Sequence, residues 1–145
     1  MPEKETIERS HEDAREGKAP STQAGEFVRE EMHHIREGKH GARSTQQAVV
    51  IGLSKARRAG VKLSPPKGSP SLRKKAKQDS AAAAKPNRKI SGKRSRAVSA
   101  ALKREPKSAA SSQAISRQAK KSAAKRSKST RSASASAAAR TRKAA

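Results

Sequence analysis

Six residues of the chain bunch acid–base and metal-ligating groups into one stretch: Glu30, Glu31, His33, His34, Glu37 and His40. Imidazole and carboxylate are the common donors to zinc-class ions and the common proton-transfer groups. On a helix, Glu30 and His33 lie three apart and His33 and Glu37 four apart, so these three share a face. A metal centre, however, needs three or four donors converging from rigid positions, and neighbours such as His33 and His34 point about 100° apart. The sequence therefore predicts a solvated helix face here, with no metal and no cofactor. Nucleophilic catalysis is also unexpected. Cys is absent and Ser is abundant only in the last part of the chain, where too little apolar material exists to hold a base within reach of a hydroxyl. The chain reads as a non-enzyme.

The remaining chemistry is cationic. Residues 64–145 hold 24 Lys and Arg against Asp79 and Glu105 alone, a balance of +22, whereas residues 1–63 hold 12 against 10, or +2; together they give the whole-chain +24. Ammonium and guanidinium groups at this density neutralise the phosphates of a polyanion. The candidate nucleic-acid contacts are Arg73, Lys74, Lys75, Lys77, Arg88, Lys89, Lys93, Arg94, Arg96, Lys103, Arg104, Lys120, Lys121, Lys125, Arg126 and Lys128. Lys55, Arg57 and Arg58 form a further candidate face, for which the plainer reading is a helix C-terminus enriched in cations. If about 8 of the 24 cations touched phosphate, the log–log salt slope on duplex DNA would be near −7.

The partner classes separate on what the cationic segment lacks. Leu72, Ile90, Val98, Leu102 and Ile115 are too scattered to anchor an interfacial helix in a membrane. Phe27 is the single aromatic residue, so stacking on unpaired bases is unavailable. Duplex DNA is the preferred partner, RNA the alternative, and no membrane is expected. Base readout needs a rigid element placed in a groove, so binding is expected to be largely independent of sequence.

The elements that must position these groups follow from periodicity. Only 31% of the 145 residues are hydrophobic, and low hydropathy with high net charge is the composition of chains that do not offset the entropy of ordering. The expected fold is mostly α and disordered: a small module of two or three helices over 1–63, then a long disordered tail over 64–145. A first helix is predicted over 2–16. A second, capped by Ser21 or Thr22, carries Ala24, Phe27, Val28, Met32 and Ile35 as one apolar stripe and stops at Gly38. A third opens at Ser44 with Gln47 as a capping box, carries Val49, Leu53 and Ala56, and ends near Gly60. Such a core supplies about 3–5 kcal/mol, so the module is expected to self-associate or to dock another protein. Pro65, Pro66 and Pro70 mark a boundary, after which 96–105 and 112–126 are expected to become helical only against DNA. The acidic start is unlike a secretory leader, and the longest apolar run, Ala48 to Ile51, is too short to span a bilayer. An intracellular protein is expected.

The run from Gly38 to Lys62, with its Gly-Lys-His-Gly, Ser44, Gln47-Ala48, Ile51-Gly52-Leu53-Ser54, Ala56-Arg57, Ala59-Gly60 and Lys62, resembles a bacterial domain family of unknown function whose members pair this segment with Lys-rich sequence. The tail composition resembles the C-terminal tails of linker histones and of bacterial histone-like proteins. These resemblances imply a bacterial, nucleoid-associated protein that compacts DNA, and they imply no catalytic residues. The alternatives are a basic structural protein bound to RNA or the ribosome and a phage or mobile-element DNA-packaging protein. In a eukaryote, Arg73-Lys74-Lys75-Ala76-Lys77 would act as a nuclear import signal.

Overall fold

In the computed structural model, which describes residues 2–85 and 91–144, the chain is helical nearly throughout. Seven α-helices are described: α1 (Lys4–Arg15), α2 (Pro20–Glu37), α3 (Thr45–Arg58), α4 (Pro70–Ala83), α5 (Gly92–Lys103), α6 (Ser112–Ala124) and α7 (Lys128–Ala144), with a single 3₁₀ turn at Lys107–Ala110 before α6. The chain divides into two compact units, Met1–Ser111 and Ser112–Ala145.

The expectation of a short module followed by a disordered tail is overturned: residues 64–145 carry four of the seven helices. Two physical features account for this. Ala, Lys and Arg are among the strongest helix formers, and several Ser residues of the segment are N-caps. Ser69 accepts from the Leu72 amide and is followed by Pro70 at the first helical position; Ser91 accepts from the Arg94 amide, and Ser127 from the Thr130 amide. A proline at that position has no amide to leave unpaired, so Pro70 starts a helix where it was read as ending one. Helices α5 and α6 cover most of 96–105 and 112–126.

The first unit is built on α2. Its stripe is as expected in Ala24, Phe27, Met32 and Ile35, all buried. Phe27 and Ala24 cluster with Ala56 of α3 and Val61, and Ile7, Leu53, Ala59 and Leu63 close the margin. Helices α2 and α3 approach closely because position 52 has no side chain: a Cβ on Gly52 would stand 2.7 Å from the Val28 Cα. Helix α3 opens as its capping box predicts in one half, with Ser44 Oγ accepting from the Gln47 amide at 3.1 Å. The reciprocal bond goes one residue earlier, from the Arg43 amide to Gln47 Oε1 at 2.8 Å. Helix α1 packs on α2 through Thr6 and Ser10, both buried, with Ile7 beside the core cluster.

The boundary expected at 63/64 does not delimit the first unit. Ala76 and Asp79 of α4 are buried against α3. Further on, the last turn of α5 and the segment after it dock on the α2–α3 loop: the Gly41 amide donates to the Leu102 carbonyl at 2.8 Å and the Ala42 amide to the Pro106 carbonyl at 3.1 Å. A side chain at Gly41 would collide with the Glu105 carbonyl. Thr45 Oγ1 donates to the Ala109 carbonyl at 2.6 Å and Arg36 Nε to the Ala110 carbonyl at 2.9 Å, while Ala109 and Ala110 are themselves buried. Small, unbranched side chains are what permit this backbone-to-backbone seating, which is why the segment carries no bulky signal in the sequence. In the second unit, no described side chain of α6 or α7 is buried.

Among the described residues, no helix is long and apolar enough to cross a membrane.

Candidate functional site

Fourteen of the sixteen cations singled out in the tail lie on helices or at their ends. Arg73, Lys74, Lys75 and Lys77 lie on α4, Lys93, Arg94, Arg96 and Lys103 on α5 with Arg104 at its end, and Lys120 and Lys121 on α6; Lys125 and Arg126 follow it, and Lys128 opens α7. All of these are exposed. Arg88 and Lys89 lie outside the described residues. Helical spacing sorts the cations into faces: Arg73 and Lys77 are four apart on α4, Lys93 and Arg96 three apart on α5, and Arg117 joins Lys120 and Lys121 at three and four on α6. The second unit, 112–145, holds 10 Lys and Arg and no acidic residue, so no carboxylate of its own can neutralise them.

The two acids of the cationic segment are both used to fasten it. Asp79 is buried and accepts from Lys75 Nζ at 2.8 Å, Arg58 Nε at 2.9 Å and Ser54 Oγ at 2.5 Å. Burial alone would raise its pKa, but the hydrogen bonds from Lys75, Ser54 and Arg58 prevail and hold it below the usual carboxylate value. Glu105 takes an ion pair from Arg43 at 3.4 Å. These anions join α4 to α3 and the post-α5 segment to the loop before α3.

Lys55, Arg57 and Arg58, the candidate DNA face of α3, all pair with groups of the chain, Arg58 while still exposed. Lys55 Nζ stands 2.8 Å from Glu31 Oε2 and 3.2 Å from Glu30 Oε1. Arg57 is buried and reaches the Ser64 carbonyl at 3.4 Å. Arg58 is bound to Asp79 and to Ser54. Neither a free DNA face nor a simple cation-rich terminus describes them; they brace α3 against α2, α4 and the chain leaving it.

The solvated helix face expected around His33 and His34 is solvated only in part. His33 and Glu37 are exposed, but the Glu30 and Glu31 side chains are 2% and 0% accessible and those of His34 and His40 only 13% and 17%. Glu30 accepts from the Glu3 amide at 3.2 Å and from Lys55. Burial pushes its pKa up, but the Thr6 hydroxyl, the Glu3 amide and Lys55 outweigh this and leave it lowered. His34 Nε2 lies 2.9 Å from Glu3 Oε1. Glu31, His34 and His40 are the one group of His and carboxylate donors among the described residues that converges. The signal was in the stripe itself: Phe27, Glu31 and Ile35 are spaced four and four, so Glu31 occupies a core position of α2. His40 joins through the left-handed turn at Gly38, whose φ is 79°, and nothing in helical periodicity could have placed it there.

No protein-family model, curated protein or solved structure matches the chain. The likeness of residues 38–62 to a bacterial domain family is thus unsupported by a match, and the functional reading rests on charge and geometry.

Proposed function

We propose that the protein is a non-enzymatic binder of duplex DNA that neutralises backbone phosphate along exposed cationic helices and so promotes compaction, with little dependence on base sequence. One observation carries the reading: every described cation singled out in the tail is exposed, and among these residues only Lys75 is held by a carboxylate of the chain. An ammonium or guanidinium group without an internal counterion exchanges its own condensed ions for phosphate and releases the phosphate's, which is the source of sequence-independent affinity. Contacts of this kind fix position on the duplex and specify no bases. The sole aromatic residue, Phe27, is fully buried, which leaves no ring for stacking on single strands. The helices of residues 1–63, several of whose acids and bases pair with one another, would serve as a folded body beside the cations.

The test is a salt titration of affinity for a duplex of random sequence. Each phosphate contact contributes about 0.9 to the log–log slope. A full-length variant with Arg117, Lys120, Lys121, Lys125, Arg126 and Lys128 replaced by Gln is expected to lose up to about 5 from that slope. An unchanged slope would overturn the proposal for the second unit. Binding that a single-stranded oligonucleotide of equal charge competes for as strongly would overturn the preference for duplex.

A further inference from the structure

The geometry points to a divalent transition-metal site formed by Glu31, His34 and His40. One donor atom from each of the three lies within 4.8 Å of the others. Glu31 is fully enclosed, and neither of its carboxylate oxygens has a hydrogen-bond partner. Lys55 stands at ion-pair distance from Oε2 without the direction of a hydrogen bond, and the other oxygen, Oε1, faces His40 Nε2 at 3.4 Å. A buried carboxylate left in this state is costly, and the cost is removed by a cation placed where Oε1 points.

The tautomers follow from the outer partners. His40 Nδ1 is 3.1 Å from the Gly41 carbonyl oxygen. A carbonyl only accepts, so Nδ1 carries the proton, and in the neutral ring Nε2 presents a lone pair to Glu31 Oε1. Two lone pairs facing each other at that distance repel unless something positive lies between them. Two ligands on one zinc-class ion, with bonds of about 2.0–2.1 Å at tetrahedral angles, stand about 3.3–3.4 Å apart, which is the spacing found. His34 is set in the complementary way: Nε2 donates to the Glu3 carboxylate at 2.9 Å, which leaves Nδ1, 3.9 Å from Glu30 Oε1, as the nitrogen with a lone pair. A carboxylate or a carbonyl holding one nitrogen of each imidazole is the usual outer arrangement of histidine ligands.

Charge balance agrees. Around the cluster, the four carboxylates of Glu3, Glu30, Glu31 and Glu37 face the two ammonium groups of Lys39 and Lys55, which with neutral imidazoles leaves two negative charges over. Two nitrogens and one oxygen select zinc, cobalt, nickel or copper over the oxygen-preferring calcium and magnesium. The ion would tie α2 to the turn at Gly38–Ala42, on which Leu102 and Pro106 are seated through backbone hydrogen bonds.

The test uses full-length protein freed of metal by chelator and titrated with Co²⁺. The expected result is a visible d–d spectrum that saturates at one equivalent, is displaced by Zn²⁺, and is lost when both His34 and His40 are Gln. It is expected to persist when the exposed His11 and His33 are Gln. Glu3→Ala, at a half-exposed position, is expected to weaken the metal about 10-fold or more through the orientation of His34. A second readout needs no substitution: in the unaltered protein, Zn²⁺ should shift the imidazole ¹⁵N resonances of His34 and His40 and leave those of His11 and His33 in place. Absence of a spectrum, persistence of it in the double variant, or equal shifts at all four imidazoles would overturn the assignment. Response of the same two rings to acid but not to metal would do so too, in favour of a proton between Glu31 and His40.

Discussion

Replacing Lys55 by Met should be among the most disruptive single changes in the first unit. The ammonium group stands 2.8 Å from Glu31 and 3.2 Å from Glu30, and those side chains are 0% and 2% accessible. Methionine preserves the length of the side chain and removes the charge, so two adjacent carboxylates on α2 lose the cation they share. Leaving buried charge without its partner costs about 3–5 kcal/mol, a large part of the roughly 5–15 kcal/mol that holds a domain together. With a urea dependence of about 2 kcal/mol per molar, the midpoint of the cooperative loss of helix circular dichroism should fall by about 2 M. Glu31→Gln added to the same chain should recover part of the loss, because an amide needs no counterion. A Lys55→Met midpoint within about 0.3 M of the parent would refute the buried-pair argument. If the variant were instead stable and the DNA-binding salt slope dropped by about 1, Lys55 would be a phosphate contact after all.

Acid should loosen the same unit from two places. Glu30 and Asp79 both titrate below their ordinary values in the fold, so the stability they lend is present above the unfolded carboxylate range, near pH 4, and disappears as pH falls through the lower folded values. The urea midpoint should hold steady from about pH 7 to pH 5 and decline below about pH 4, less steeply for Asp79→Asn, and a midpoint that rose on acidification would contradict the assignment. Two glycine substitutions should differ in sign: Gly25→Ala, with nothing within 4 Å of the new Cβ, should stabilise by about 0.5–1 kcal/mol through helix propensity. Gly52→Ala drives its Cβ to 2.7 Å from the Val28 backbone and should destabilise by about 1–3 kcal/mol, and equal effects in thermal melts would refute the close approach of α2 and α3.

Local rules in the sequence reached as far as single helices. The stripe of Phe27, Met32 and Ile35, the Ser44 cap, the Gly38 stop and the confinement of charge to 64–145 were all legible, because each depends on residues within a turn or two of one another. The same rules applied to Ser69-Pro70, Ser91 and Ser127 would have given the tail its helices. In this chain, propensity with capping outweighs the self-repulsion of the net charge. Composition was a poor guide to order because Ala and the alkyl stems of Lys and Arg form helices without adding much to mean hydropathy.

The amino-acid order alone thus determined which residues are cations, that only two acids oppose them in the tail, and where most helices of the first unit run. The tertiary structure alone decided how those charges are spent. It took Lys55 and Arg57 out of the surface and into contacts with Glu31 and Ser64, tied the exposed Arg58 to Asp79, and brought His40 against Glu31 across a turn. The reason is that an ionisable side chain advertises its charge but not its partner: whether it meets water, phosphate or a buried carboxylate depends on chain segments up to tens of residues away, and only folding sets those distances.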